Sequence, residues 1–439
     1  MTKCKISDNC GGCLYQGMSY EEQLAAKDKS IRRLFDKHDF SLDIFEVIVP
    51  AITPYGYRNK MEYTFGDLDK GGPLELGMHM KGRFMSIISC DMCQLVPEDF
   101  NIILRATLEF CRDRGYTFYH RKSHAGLLRN LVLRHGVKSG EILVNIVTSS
   151  QDGSNPAKPE TTFPIEGLEE DRSCDSFDED AYLKLLQSLE VENEIVGVIR
   201  TYNDSVADAV INEGIKIIYG RDYYNEEILG LKFKVNAFSF FQTNIPAIER
   251  LYSDALSLIP DIDDKTVYDL YCGTGTISQL MAIKAREVYG VEIVEDSVNA
   301  AIDNAVLNGI TNCHFICGDV KQVLDELPKK PDVIVVDPPR VGMHDKVVDM
   351  LSGYGIKQIL YISCNPKTMF INLERFRFHG YEPISIRAYD NFPLTKHVET
   401  VCLLQKMSNT RERTITLDVE MEDYHRIKNG TEVTADATE

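Results

Sequence analysis

Between residues 236 and 405 strand-like and helix-like segments alternate without a break, and no other feature of the chain limits its fold as tightly. The helix-like "PAIERLYSDALSLI" leads into "TVYDLYC", "TISQLMAIKA", "EVYGVEI", "SVNAAIDNAVLNG", "CHFICGD", "DVIVVDPP" and "QILYISCN". Such alternation predicts an α/β fold with a parallel, doubly wound sheet. The last two strands, "YEPISIRAYDNF" and "HVETVCLLQ", are joined by too short a link for a crossover. The final strand is therefore expected to run antiparallel to its partner.

Upstream, the runs "LLRNLVLRHG", "EILVNIVT", "IVGVIRTYN", "IKIIYG" and "LKFKVNAFSFF" predict an antiparallel β-rich domain over 1–235. An acidic stretch within 151–190 loses all periodicity and reads as a surface insert. The α/β domain then covers 236–405, and 406–439 is a tail without an assigned role. The start of the chain lacks an apolar signal-peptide core, and no run of about 20 apolar residues follows, so a cytoplasmic protein without a membrane partner is expected.

A net charge of −19 argues against a nucleic-acid partner, but its distribution reverses that argument. Residues 101–140 hold eight Lys and Arg against two acids, whereas 151–190 hold eleven acids against three bases. The overall sign comes from an acidic insert and an acidic tail, and a basic face remains available.

Several strands of the α/β domain end in groups suited to a nucleoside ligand. "DLYCGTGTIS" places Gly273 and Gly275 after an apolar strand, where a ligand can approach the backbone. Glu292 ends the next strand about 20 residues on, where a carboxylate can accept from both ribose hydroxyls. Asp319 and Asp337 close two further strands. Read singly, Glu292 or Asp319 is equally a helix N-cap. A serine, Ser278, replaces the third glycine of a dinucleotide fingerprint, so the series fits S-adenosylmethionine better than a pyrophosphate.

"YISCNP" delivers Cys364 to the carboxyl end of a strand, where open α/β sheets keep their active sites. A thiolate beside a methyl sulfonium suits methylation of pyrimidine carbon 5. Addition at carbon 6 turns the ring into an enolate whose carbon 5 can attack the methyl group. A general base must then remove the carbon 5 proton, and "FPLTKHVETV" offers Glu399, with His397 as competitor.

"DLYCGTGTI", "VVDPPR", "YISCNP" and "FPLTKHVETV", in this order and spacing, resemble the folate-independent RNA uracil-5-methyltransferases, most closely the 23S ribosomal RNA branch. The resemblance extends to about residue 405 and implies a class I (Rossmann-like) methyltransferase domain acting on RNA. It also implies that Gln242 of "FSFFQTN", Tyr271, Glu292 and Asp337, with Asp319 in addition, contact S-adenosylmethionine. Cys364 matches the family nucleophile and Glu399 its proton-abstracting base.

"CKISDNCGGC" and "SCDMCQLV" supply Cys4, Cys10, Cys13, Cys90 and Cys93, a set able to hold either tetrahedral zinc or a cubane cluster. The C-x5-C-x2-C run with a late fourth cysteine resembles the family's 4Fe-4S site. The likeness aligns Cys4, Cys10, Cys13 and Cys93, and leaves Cys90 out. Many relatives carry a small RNA-binding β-barrel before the first cysteine, where this sequence has three residues. RNA is then expected to meet the β domain through Arg58, Lys60, Arg129 and Arg134, with Tyr55 or Tyr57 stacking on bases. The expected protein is a monomeric enzyme making 5-methyluridine. A transfer RNA enzyme is the alternative, and a silent RNA-binding or chaperone protein is the reading from another class.

Overall fold

The computed structural model describes residues 3–157, 176–207, 209–259, 261–327 and 330–407. The centre of the acidic insert, with Cys174, and the tail from 408 onward lie outside the described residues. The described residues hold seventeen strands, numbered in chain order. They are β1 (Phe45–Val49), β2 (Lys60–Asp67), β3 (Leu74–Met80), β4 (Arg83–Ser89), β5 (Leu128–Gly136), β6 (Glu141–Thr148), β7 (Glu194–Tyr202), β8 (Ile215–Gly220), β9 (Tyr223–Ile228), β10 (Leu231–Asn236), β11 (Thr266–Leu270), β12 (Glu287–Glu292), β13 (Cys313–Cys317), β14 (Val333–Val336), β15 (Gln358–Ser363), β16 (Tyr381–Tyr389) and β17 (Glu399–Lys406).

Eight of them form one sheet in the order β1-β16-β17-β15-β14-β11-β12-β13. Every residue of β11 and β14 is buried, because helices cover both faces of a parallel sheet and its central strands must be apolar throughout. The chain runs outward from β11 through β12 to β13, then crosses back to β14 on the other side of β11. That reversal opens a crevice beyond the carboxyl ends of β11 and β14. As expected, β17 is antiparallel to both β15 and β16.

The turn after β11 depends on glycine. Gly275 caps helix Thr276–Ala282 at φ +75°, and a Cβ there would stand 2.6 Å from the Phe315 ring. Gly275→Ala is expected to cost about 1–3 kcal/mol through left-handed backbone strain and overpacking, measured as a lower urea midpoint.

A second sheet, β4-β3-β2-β5-β6-β7-β8, corrects the expectation of a purely antiparallel domain, because β6 and β7 pair in parallel. Parallel neighbours need a crossover connection, and the acidic segment between them supplies it. Within that segment helix Glu179–Gln187 seats Tyr182 and Leu186 in the core beneath β5 and β6. The hairpin of β9 and β10 stands as its own pair, and its Tyr224, Ile228, Phe233 and Val235 share a core with Val267, Leu360 and Val401 of the eight-stranded sheet.

The segment from 20 to 49, expected in the β domain, belongs to the other sheet. Helix Tyr20–Lys37 starts at a capping box of Ser19 and Glu22, and its Phe35 packs edge-on against Phe370 at 5.0 Å. Strand β1 then extends the sheet beside β16 in parallel. An amphipathic helix in the sequence does not name the sheet it covers. Among the described residues no helix is long and apolar enough to cross a membrane.

Candidate active site

The crevice begins at Tyr271, which adopts φ +67° directly after β11. For a residue with a Cβ this conformation is strained and persists only where the surroundings enforce it. Here the N–H groups of Tyr271 and Cys272 both donate to the Val291 carbonyl, at 2.9 and 3.1 Å. Gly273 follows at φ +54°, with open space where a Cβ would lie, so its backbone is accessible to a ligand. The Glu292 carboxylate is fixed at the floor of this turn by the N–H groups of Gly273 (3.1 Å), Ile293 (2.9 Å) and Val294 (3.0 Å). Oε1 accepts two of these bonds and Oε2 one, so one lone pair on Oε2 stays available to a hydroxyl donor. This turn and its carboxylate fit the ribose and methionine portions of S-adenosylmethionine.

Asp319 caps the short helix Val320–Val323 by accepting from Lys321 N–H at 2.8 Å, the alternative role weighed for it. Its charge still reaches the Tyr271 phenol, which burial first and Asp319 second push up to about 12. Gln242 donates from Nε2 to the Tyr252 hydroxyl at 2.9 Å. Tyr252 is buried, and its phenol is pushed up by that burial and then by Asp337, with Asp269 and Glu399 also near. Gln242 thus reaches the acidic centre through a tyrosine that the sequence did not single out.

Asp269 also escaped the sequence reading, although an acid inside the apolar run "TVYDLY" was a signal for it. Fully buried in β11, it accepts from the Ser278 hydroxyl on one oxygen and leaves the other, Oδ1, without a partner. Burial lifts it to about 7, and Asp337, desolvated beside it, likewise rises to about 7. A buried carboxyl with an unused oxygen at the base of the crevice is an acceptor awaiting a donor.

Cys364 and Glu399 meet through strand register. β15 and β17 pair Ser363 with Thr400, whose hydroxyl donates to the Ser363 carbonyl at 3.1 Å. Cys364 follows Ser363 and Glu399 precedes Thr400, so this last pair brings the thiol near the carboxyl, whose charge acts on it. Burial lifts the Glu399 carboxyl to about 8, with Asp337 adding to the rise and Arg340 opposing it. The half-buried Cys364 thiol rises to about 11 by desolvation and by the negative charges of Glu399 and Asp337. Arg340 acts against this rise as a cation and as a hydrogen-bond donor to the sulfur. The carbonyl of Arg340 is in turn held by Asn365 Nδ2 at 2.8 Å and by the Thr368 hydroxyl at 3.3 Å, which ties it to the residues just after the thiol. His397, the competing base, lies in the loop before β17, and burial first and neighbouring cations second push its imidazole down.

The five amino-terminal cysteines come together as well. Cys4, Cys10, Cys13, Cys90 and Cys93 line one cavity of about 80 Å³ whose other walls include Met61, Met78 and Leu95. Among the described residues no three metal-ligating side chains are gathered in coordination geometry. The donor set, soft thiols in an apolar pocket, nevertheless suits an iron-sulfur cluster. The sulfurs differ in their surroundings. Cys93 accepts backbone N–H bonds from Leu95 and Val96, and Cys10 accepts one from Gly12, whereas Cys90 is surrounded by burial, other thiols and Asp91.

The expected RNA-facing residues are largely structural. Arg129 is buried and donates to the carbonyls of Asn203 and Ser205 at 2.7 Å and of Ala207 at 2.8 Å. Arg134 is buried beside Tyr224, and Tyr57 is buried with its hydroxyl on the Pro393 carbonyl at 3.0 Å. Desolvation pushes the Lys60 ammonium down, and Tyr55 packs against the small cluster around Tyr57 and Leu394. Arg58 is half-buried and donates from Nε to the Lys60 carbonyl at 3.1 Å. Local charge in the sequence did not reveal that the Arg129 guanidinium satisfies three loop carbonyls or that Arg134 is buried. Phe84 and Phe240 are more exposed than Tyr55 or Tyr57, at 59% and 71%.

Comparison with known proteins agrees with this arrangement. A family model described as tRNA (Uracil-5-)-methyltransferase matches residues 205–329 and 321–407. An uncharacterized RNA methyltransferase of Clostridium tetani is 43% identical over 406 residues, covering 92% of this chain and 84% of its own. One from Caldanaerobacter subterraneus subsp. tengcongensis is 44% identical over 403 residues with the same coverage. The crystal structure of Pyrococcus abyssi tRNA (uracil-54, C5)-methyltransferase in complex with S-adenosyl-L-homocysteine superimposes with a TM-score of 0.70 at 25% identity, over 90% of this chain and 86% of that one. With a doubly wound sheet, an accessible glycine turn and a relative this similar along nearly its whole length, the chain belongs to the RNA uracil-5-methyltransferase family.

Proposed function

We propose that the protein methylates carbon 5 of a uridine in RNA through a covalent adduct of Cys364 at carbon 6. The observation that supports this reading is the end of the β15–β17 ladder, where the residues next to the Ser363–Thr400 pair are a thiol and a buried carboxyl, both within reach of Arg340. The target uridine is flipped out of its helix or loop so that carbon 6 reaches the sulfur. Arg340 favours the thiolate, which adds to the ring. S-adenosylmethionine supplies the electrophilic methyl group, and Gln242, Tyr271, Glu292, Asp319 and Asp337 form its site. Glu399 then accepts the carbon 5 proton as the carbon–sulfur bond breaks, returning the thiolate and releasing 5-methyluridine.

The substrate we infer is 23S ribosomal RNA, on the motif likeness described first. Transfer RNA is the second reading, favoured by the fold likeness to the Pyrococcus abyssi enzyme. Mass-spectrometric mapping of 5-methyluridine in a strain lacking the gene decides between them. A site lost from 23S ribosomal RNA supports the first reading, and loss confined to transfer RNA replaces it with the second.

The thiol cavity is read as the site of a 4Fe-4S cluster held by Cys4, Cys10, Cys13 and Cys93. Backbone N–H donors to sulfur, which stabilise thiolate ligands, favour Cys93 over Cys90. Protein purified without oxygen should therefore be brown. Cys93→Ser should lose iron and Cys90→Ser should keep it, measured by metal analysis and visible absorption. One zinc per chain in a colourless protein would overturn the assignment.

A further inference from the structure

The loop over residues 390–398, which leads into Glu399, is held at successive carbonyls by parts of the chain that have no direct share in the chemistry. The Leu394 carbonyl accepts from the N–H groups of Leu14 (2.9 Å) and Tyr15 (3.0 Å), the two residues after Cys13. The Pro393 carbonyl accepts from the Tyr57 hydroxyl. Tyr57 is itself flanked by Gly56 and Arg58, whose N–H groups donate to the carbonyls of Gln94 (2.9 Å) and Leu95 (2.8 Å), the two residues after Cys93. Gln16 joins the two cysteine segments, accepting from Cys4 N–H at 3.2 Å and donating to the Gln94 side chain at 3.2 Å. Leu394 is buried at φ +64°, and its own N–H donates to Gln23 Oε1 at 2.9 Å. A leucine keeps this conformation only when its surroundings impose it.

We propose that the two cysteine-bearing segments form a clamp on this loop, with Tyr57 and Gln23 as the positioning residues that hold Glu399 at the carbon 5 proton. The inference rests on the role given to Glu399 above. The state of the thiol cavity then acts on the proton-removal step, which is late in the reaction, and leaves nucleotide binding alone. Tyr57, Leu95 and Leu394 pack together with Cys13 and Cys93 against them, so the clamp and the cavity share one small apolar cluster. A shift at either cysteine segment is passed to the loop through packed atoms and two pairs of backbone hydrogen bonds.

The test compares Tyr57→Phe, Cys13→Ser and Glu399→Gln with the unmodified protein. Tyr57→Phe removes one hydroxyl from a buried ring and should lower kcat about 10- to 100-fold, the scale of a misplaced catalytic group, with the dissociation constant for S-adenosylmethionine unchanged. Covalent protein–RNA adduct should accumulate on denaturing gels, because resolution has slowed while addition has not. Amide hydrogen exchange over 391–397 should quicken in Tyr57→Phe and in Cys13→Ser alike. If Glu399→Gln traps adduct while Tyr57→Phe turns over normally, the clamp is wrong and the assignment of the base stands. If Glu399→Gln traps nothing, the base assignment fails and takes the clamp with it. Unchanged exchange in Cys13→Ser also overturns the proposal, since the cavity would then have no hold on the loop.

Discussion

Cys364→Ala is expected to abolish RNA methylation while S-adenosylmethionine still binds. Carbon 5 of uracil is too electron-poor to attack a methyl group unaided, and without the sulfur there is no enolate. The loss should be on the order of 10⁴-fold or more, as for other enzymes stripped of their covalent nucleophile. Of Glu399, Asp337 and Arg340, which act on the thiol, Asp337 alone belongs to the proposed cofactor site, and the glycine turn and Glu292 lie at the ends of β11 and β12. The dissociation constant for S-adenosylmethionine, measured by calorimetry, should therefore change less than about threefold. Residual methylation within tenfold of the unmodified protein would remove the covalent step from the mechanism.

Glu399→Gln is expected to fail later, with methyl transfer complete and the carbon 5 proton still in place. The thioether to carbon 6 cannot then be expelled, and a slow-migrating protein–RNA band should persist on a denaturing gel. Adding Cys364→Ala should erase the band, because the second variant removes the bond that traps the RNA. His397→Gln should leave turnover nearly intact, and trapping by that variant instead would move the base to His397. The same carboxyl sets a pH dependence. Its pKa is raised to about 8, so the ionised form needed to accept a proton dominates only above that value. Below it the ionised fraction falls about tenfold for each pH unit, and kcat, which contains the late proton-removal step, should fall with it. A profile flat between pH 6 and pH 9 would contradict this role for Glu399.

What the sequence determined by itself was the local pattern and its punctuation. Apolar runs at β11, β14 and β15, glycines at the turn after β11, and Asn365-Pro366 after the thiol are short-range features. They announced a doubly wound sheet and placed Cys364 at its carboxyl edge, since periodicity and turn chemistry depend on neighbouring residues alone. The antiparallel β17 was legible for the same reason, because a short link excludes a crossover. Partner choice was decided only by the tertiary structure. Arg129, Arg134 and Tyr57 look like an RNA surface in the sequence and are buried against carbonyls or rings contributed by distant segments. The parallel pairing of β6 with β7 and the placement of β1 beside β16 likewise depend on which faces meet. The raised carboxyls of Asp269, Asp337 and Glu399 have the same origin. Desolvation is a property of the closed crevice, formed by strands that lie far apart in the chain and adjacent in the sheet.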